Sequence, residues 1–190
     1  MSSQFLSVCG LRADGRRPGE VRLVRARVGV APNADGSASV DVGGTRVLAL
    51  VHGPRRASGI RRGLALDGGD DAATITVEYI VAPFANQGDR LARRSGDRAI
   101  ADAAAALASV FEGVVLSRLY PHSEIAITIH VLAADGGALA AAVNAGALAL
   151  ADAGVAMRDL AAAAGALSTA AGPLCDPCGA ELQAGAPELT

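Results

Sequence analysis

The chain has 190 residues, room for one domain with a substantial core, and 51% of them are hydrophobic, as a folded globule requires. Its formal net charge is −2 and every basic residue is an arginine, so it is no polycation; any nucleic-acid contact has to come from local arginine clusters. Charges and glycines break every apolar run short of a bilayer span, the opening MSSQFLSVCG does not read as a secretory signal, and Cys9, Cys175 and Cys178 are too few for a disulfide scaffold and read as reduced thiols.

Residues 1–19 read as an extended arm of glycine, proline and charges. From Val21 the residues alternate, and Val24, Ala26, Val28 and Val30, with Arg22 on the same parity, are expected to form the buried face of a first strand. Asn33-Ala34-Asp35-Gly36 reads as a turn and 37–42 as a second strand. Gly43-Gly44 then turns the chain into 45–52, an apolar strand ended by Gly53-Pro54, which completes an antiparallel meander. Residues 55–73 form a polar loop in which Arg55, Arg56, Arg61 and Arg62 precede Asp67, Asp70 and Asp71, a composition that cannot bury itself. A β-branched strand at 74–82 follows, then a second basic loop at 83–96 with Arg90, Arg93 and Arg94.

The spacing of Ile100, Ala104, Leu107, Val110, Phe111, Val114 and Val115 predicts a helix over 97–118, capped by Asp97 and ended before Tyr120-Pro121. Ile125, Ile127, Ile129 and Val131 alternate as a half-buried strand that turns at Asp135-Gly136-Gly137. Ala140, Val143, Asn144, Ala147, Leu148 and Ala151 then fall at helical spacing, with small residues throughout that let a helix approach a sheet closely, and Ala153-Gly154-Val155 stops it. A strand that feeds a helix through a glycine turn is a natural anion site, because free backbone N–H groups at the helix start point outward. Alanine propensity favours helix again at 160–167. The order of elements gives an α+β architecture, two β-rich halves with helices packed on one side.

Several of these segments, in this order, carry a resemblance. Gly10-Leu11-Arg12-Ala13-Asp14-Gly15-Arg16-Arg17-Pro18, then Ala34-Asp35-Gly36-Ser37-Ala38, Gly44-Thr45-Arg46-Val47-Leu48-Ala49, Gly53-Pro54 and Gly96-Asp97-Arg98 lead to Ala134-Asp135-Gly136-Gly137. Ala140-Ala141-x-Val143-Asn144-Ala145 and the run from Leu148 to Met157-Arg158-Asp159 follow. From Gly10 to Asp176 the chain resembles the RNase PH family, in particular its exosome ring subunits. The resemblance implies the ribosomal-protein-S5-domain-2-like fold: an antiparallel meander plus βαβ units with helices on one side, assembled with five relatives into a hexameric ring. It also implies a strand, not a helix, at 160–167. On this reading 1–19 is an N-terminal arm, 20–176 the RNase PH-like domain and 177–190 an incomplete or degenerate C-terminal segment, since family members continue with further strands and helices.

Phosphorolysis of RNA needs phosphate held in line with the terminal phosphodiester, positive charge to neutralise it and an acid near the leaving oxygen. The resemblance places phosphate at the glycine turn, where a serine or threonine followed by an arginine completes the cradle. Here those positions are Gly136, Gly137, Ala138 and Leu139, without hydroxyl or guanidinium. Of the family's two aspartates six residues apart, the second falls on Asp176 and the first on Ala170. Asp176 is therefore expected to be a remnant of a site that no longer catalyses, with phosphate a co-substrate only if the chain is active after all; no other cofactor and no metal is expected. Arg98, in a position where the family contacts RNA or phosphate, and Arg90, Arg93, Arg94, Arg61 and Arg62 are the candidates for tracking a single-stranded RNA backbone. Aromatic residues, 3% of the chain, leave little for base stacking.

Cys175-Asp-Pro-Cys178 has CxxC spacing but lacks two further ligands for structural zinc. His52 and His130 sit inside apolar strands as core or interface residues, His122 follows a turn, Ser168-Thr169 has no nearby base, and Asp135 fixes its turn. The expected role is a core ring subunit of the exosome. It would support 3′→5′ RNA processing and degradation, rRNA included, by structure and by lining the RNA channel in cytoplasm and nucleus or nucleolus. The expected partners are other RNase PH-like subunits, S1/KH-type cap subunits, single-stranded RNA and a separate hydrolytic nuclease, with no membrane. The rivals are an active phosphorolytic 3′→5′ exoribonuclease completed by a partner, and a scaffold that does not touch RNA.

Overall fold

Val47, Ala49 and Val51 alternate with half-exposed neighbours, as do Ile125, Ile127, Ile129 and Val131, and these two rows form the floor of the core. The computed structural model describes residues 7, 9–56, 72–85, 98–169, 172–183 and 188–189. Strands β1 (Val24–Val28), β2 (Gly36–Val42), β3 (Thr45–Arg56) and β5 (Ser123–Ala133) pair antiparallel, and β4 (Thr74–Val81) lies parallel to β5 at the far edge, giving the order β1-β2-β3-β5-β4. The parallel pair needs a crossover, supplied by α1 (Arg98–Val114). A 3₁₀ turn at Ser117–Leu119 separates α1 from β5.

Helix α2 (Ala138–Asp152) lies across β2 and β3. The sequence predicts one buried face, yet Ala140 to Val143, Ala145 to Ala147, Ala149 and Leu150 are all buried, because residues this small let sheet and helix close in from several sides. Two glycines set the approach. A Cβ on Gly36 would overlap the Ala149 carbonyl oxygen and Ala153, and one on Gly146 would overlap the Phe111 ring. Phe111 and Leu107 of α1 thereby pack against α2 and the sheet in one apolar core.

Beyond α2 the chain forms a second, three-stranded sheet in the order β7-β6-β8, from β6 (Ala166–Thr169), β7 (Gly172–Cys175) and β8 (Glu188–Leu189). The short helix α3 (Gly179–Gln183) lies between β7 and β8.

Several expectations need correction. Helix 97–118 is shorter, ending at Val114, and the strand expected at 160–167 begins only at Ala166; Asn144 holds the irregular run before it, its side chain exchanging two hydrogen bonds of 2.9 Å with the Ala163 backbone. Strand β3 continues past the cis Gly53-Pro54 bond to Arg56, with a register shift between His52 and Arg55. The largest correction concerns β1. Its apolar parity is not buried: Val24 and Val28 are 55% and 56% exposed, because α2 covers β2 and β3 and reaches little of the edge strand. The residue of that parity that is buried is Arg22.

Candidate functional site

The turn between β5 and α2 is built by Asp135, Gly136 and Gly137. Both glycines take positive φ, and Gly137, at φ 64°, caps the helix in the left-handed conformation that glycine adopts without strain. Thr45, at the start of β3, holds the turn by donating its hydroxyl to the Gly136 carbonyl at 2.7 Å and accepting the Asp135 N–H at 3.0 Å. The segment after β7 closes over it: a Cβ on Gly136 would overlap the Pro177 carbonyl oxygen, and Gly179 N–H donates to the Asp135 carboxylate at 3.0 Å.

Asp176, in that segment, lies beside the glycine turn, and both of its carboxylate oxygens are engaged. Arg22 donates to its Oδ2 from the backbone N–H (2.8 Å) and Nε (2.9 Å), and to its Oδ1 from Nη2 (2.6 Å). The same guanidinium donates to the carbonyls of Asp135 and Gly136, which ties β1's approach, the turn and the carboxyl-terminal segment together. Burial alone would raise the Asp176 carboxyl; the hydrogen bonds and charge of Arg22, with the charge of Arg16 added, outweigh it and hold the group below the usual aspartate value. A carboxylate so held is a poor proton donor to a leaving oxygen.

A second buried pair lies alongside. Arg12, in the arm, donates through Nε to Glu181 Oε1 at 2.8 Å and through Nη2 to Glu181 Oε2, and its remaining donors reach the carbonyls of Cys175 and Asp176. Cys178 N–H completes the glutamate at 3.0 Å. Arg16 adds hydrogen bonds to the Asp176 carbonyl and to Asp14. No buried side-chain nitrogen or oxygen among the described residues lacks a partner. The arrangement is a closed ionic knot of Arg12, Arg22, Asp176 and Glu181, chemically suited to clamping three chain segments.

Sequence reasoning missed Arg12, Arg16, Arg22 and Glu181 as a group. One signal was present: Arg22 shares the parity of the valines expected to be buried, and a buried arginine demands a carboxylate. Ala138 and Leu139 open α2 with neither a hydroxyl nor a guanidinium of their own and no side-chain cap; the guanidinium at the turn is that of Arg22, given to the Asp135 and Gly136 carbonyls and to Asp176. Arg98 opens α1 with its side chain 94% exposed and Nε 3.8 Å from Asp102. Arg61, Arg62, Arg90, Arg93, Arg94 and the expected cap Asp97 lie outside the described residues. His52 and His130 are half-buried, and Cys9, Cys175 and Cys178 are free. No group of three or more His, Cys, Asp or Glu side chains suited to a metal occurs among the described residues.

The likenesses agree with this architecture. Residues 20–156 match the model of the "3' exoribonuclease family, domain 1". The chain is 44% identical over 142 residues to the exosome complex component RRP41 of Homo sapiens, covering 75% of this chain and 56% of that protein. It is 42% identical over 136 residues to exosome complex component Rrp41 of Pyrobaculum calidifontis, covering 72% and 53%. The chain thus spans about half the length of the curated relatives it matches. The crystal structure of rice (Oryza sativa) Rrp46 superposes with a TM-score of 0.77 at 26% identity, covering 90% of this chain and 76% of that one. With the family model matched over most of its length, and with the fold of its solved relatives, the chain belongs to the RNase PH family of 3′ exoribonucleases.

Proposed function

We propose that the chain serves as a core subunit of an exosome ring and supports 3′→5′ RNA processing and degradation, rRNA processing included, through structure and RNA-path lining, without phosphorolysis of its own. The observation that carries ring membership is the likeness to exosome components named RRP41, which reaches 44% identity. The geometry at Asp176 supports the absence of catalysis: the acid is clamped by Arg22, and the turn beside it opens with Ala138 and Leu139. On this reading the partners are RNase PH-like subunits in a hexameric ring, S1/KH-type cap subunits, single-stranded RNA and a separate hydrolytic nuclease, in cytoplasm and nucleus. Arg98, projecting from the start of α1, favours contact with RNA over a purely scaffolding role, because an exposed guanidinium gives affinity for a phosphate backbone without sequence choice.

The test is nucleoside diphosphate release from a short single-stranded RNA by the chain with its ring partners, with and without phosphate. The expected result is no phosphate-dependent product and retained RNA binding. Product that requires phosphate and vanishes in Asp176→Ala would establish an enzyme. Arg98→Glu with Arg93→Glu should weaken RNA protection by the ring; unchanged protection refutes path lining.

A further inference from the structure

Strand β1 is an edge whose free side can be read from its hydrogen bonds. Gly29 N–H donates to Ser37 O and Gly43 N–H to Leu23 O, at 2.8 and 3.0 Å, and the register between them pairs Arg27 with Ser39 and Arg25 with Asp41. In an antiparallel ladder hydrogen-bonded pairs alternate, so the odd residues turn their backbone groups to β2. Val24, Ala26 and Val28 turn theirs away from it, where no strand of the described residues lies. Such an edge is a template for another strand.

Its side chains state what that strand should carry. On the helix side, Val24 and Val28 stand opposite Val42 and Ala38, outside the cover of α2 and over half exposed. On the open side, Arg25 and Arg27 are exposed and have no carboxylate within ion-pair distance among the described residues; Asp41, opposite Arg25, is engaged by Arg46 at 3.0 Å. A second copy docked antiparallel about Ala26 would set Arg25 against Arg27 of the other copy, twice, and like charges directly opposite destabilise a strand pair. A strand with Asp or Glu at those two places and apolar residues between them reverses the sign.

We propose that β1 receives, by edge addition, an extended segment of a different subunit that is acidic on one face and apolar on the other. Naming the source as a ring neighbour rests on the function proposed above; the edge chemistry does not. The two arginines discourage self-pairing and select the partner at once, while Val24 and Val28 gain the cover that α2 does not give.

The experiment measures fluorescence anisotropy of a labelled, end-blocked peptide Thr-Glu-Val-Glu-Val-Glu-Thr against the whole chain, with its lysine-for-glutamate counterpart as control. The acidic peptide should bind, more weakly as salt rises, and the basic one should not. Ala26→Pro removes an N–H that points away from β2, so the fold should hold while binding falls by about tenfold or more. Arg25→Glu with Arg27→Glu should exchange the preference of the two peptides. Equal binding of both peptides, unchanged binding to a folded Ala26→Pro, or a dimer of the chain that Ala26→Pro abolishes would each overturn the assignment. Ring assembly unaffected by Ala26→Pro would overturn the edge while leaving ring membership intact; peptide binding through β1 by a chain that joins no ring would do the reverse.

Discussion

Replacing Glu181 by alanine should unfold more than α3. The Arg12 guanidinium that Glu181 neutralises is fully buried, and the pair's two hydrogen bonds account for both carboxylate oxygens. Without the carboxylate, the cation keeps the Cys175 and Asp176 carbonyls as acceptors but loses the counter-charge it is hydrogen-bonded to, the charge of Asp14 acting without such a contact. Breaking a buried pair by removing one partner costs roughly 3–5 kcal/mol. At about 2–4 °C per kcal/mol for a chain of this size, the melting temperature should drop by on the order of 10 °C. Urea unfolding followed by far-UV circular dichroism measures the free-energy loss, and Arg12→Met with Glu181→Leu should recover part of it, since the unpaired charge is gone while the Cys175 carbonyl and the Cys178 N–H lose their partners. Burial by itself would raise the Glu181 carboxyl, but hydrogen bonds from Arg12 and Cys178 and the charge of Arg12 hold it below its usual value of 4.5. A depressed folded-state pKa contributes stability above the unfolded value and loses it as pH falls through the folded one, so the advantage over Glu181→Gln should be full at neutral pH and fade in acid below that value. A loss under about 1 kcal/mol, the range of an exposed pair, or a double variant as unstable as the single one, would refute the argument.

Asp176→Asn should destabilise by about 1.5–3 kcal/mol, because the buried Arg22 loses charge-assisted bonds, and the difference from wild type should shrink at low pH for the same reason of sign. Gly146→Ala should cost about 1–3 kcal/mol in urea unfolding, since the Phe111 ring has to give way, and Gly36→Ala should cost more, since what it meets is backbone. Arg98→Ala should leave the melting temperature unchanged while reducing RNA binding by the assembled ring; a stability loss there would mean the exposed side chain is structural.

The sequence made the middle of the molecule legible. The β5–turn–α2 stretch shows period two, a glycine pair and then helical spacing, each set by local backbone chemistry, and the structure follows them within a residue or two. The meander of β2 and β3 was readable for the same reason. What could not be read depends on which surfaces meet. The valines of β1 have a buried pattern because they lie on the α2 side of the sheet, and they are exposed because α2 stops short of them. The pairing of Arg12 with Glu181 and Arg22 with Asp176 joins residues 169 and 154 positions apart, and no local period encodes such a contact. The resemblance singled out Asp176 as the second of two family aspartates; that it stands beside the glycine turn and is engaged by Arg22 is seen only in the folded molecule.

The clamp between arm and carboxyl-terminal segment also sets an order of events during synthesis. Arg12 leaves the ribosome 169 residues before Glu181, so until α3 emerges the arm lacks the carboxylate against which it buries its charge. The sheet and its two helices contain the large apolar core and can settle first. The arm must then wait, solvated and open to proteases, until α3 emerges to receive it. Nicking within residues 9–19 should therefore mark chains whose α3 has not yet emerged and spare those in which Arg12 has met Glu181, which makes this ionic knot a molecular record of whether residue 181 has cleared the ribosome.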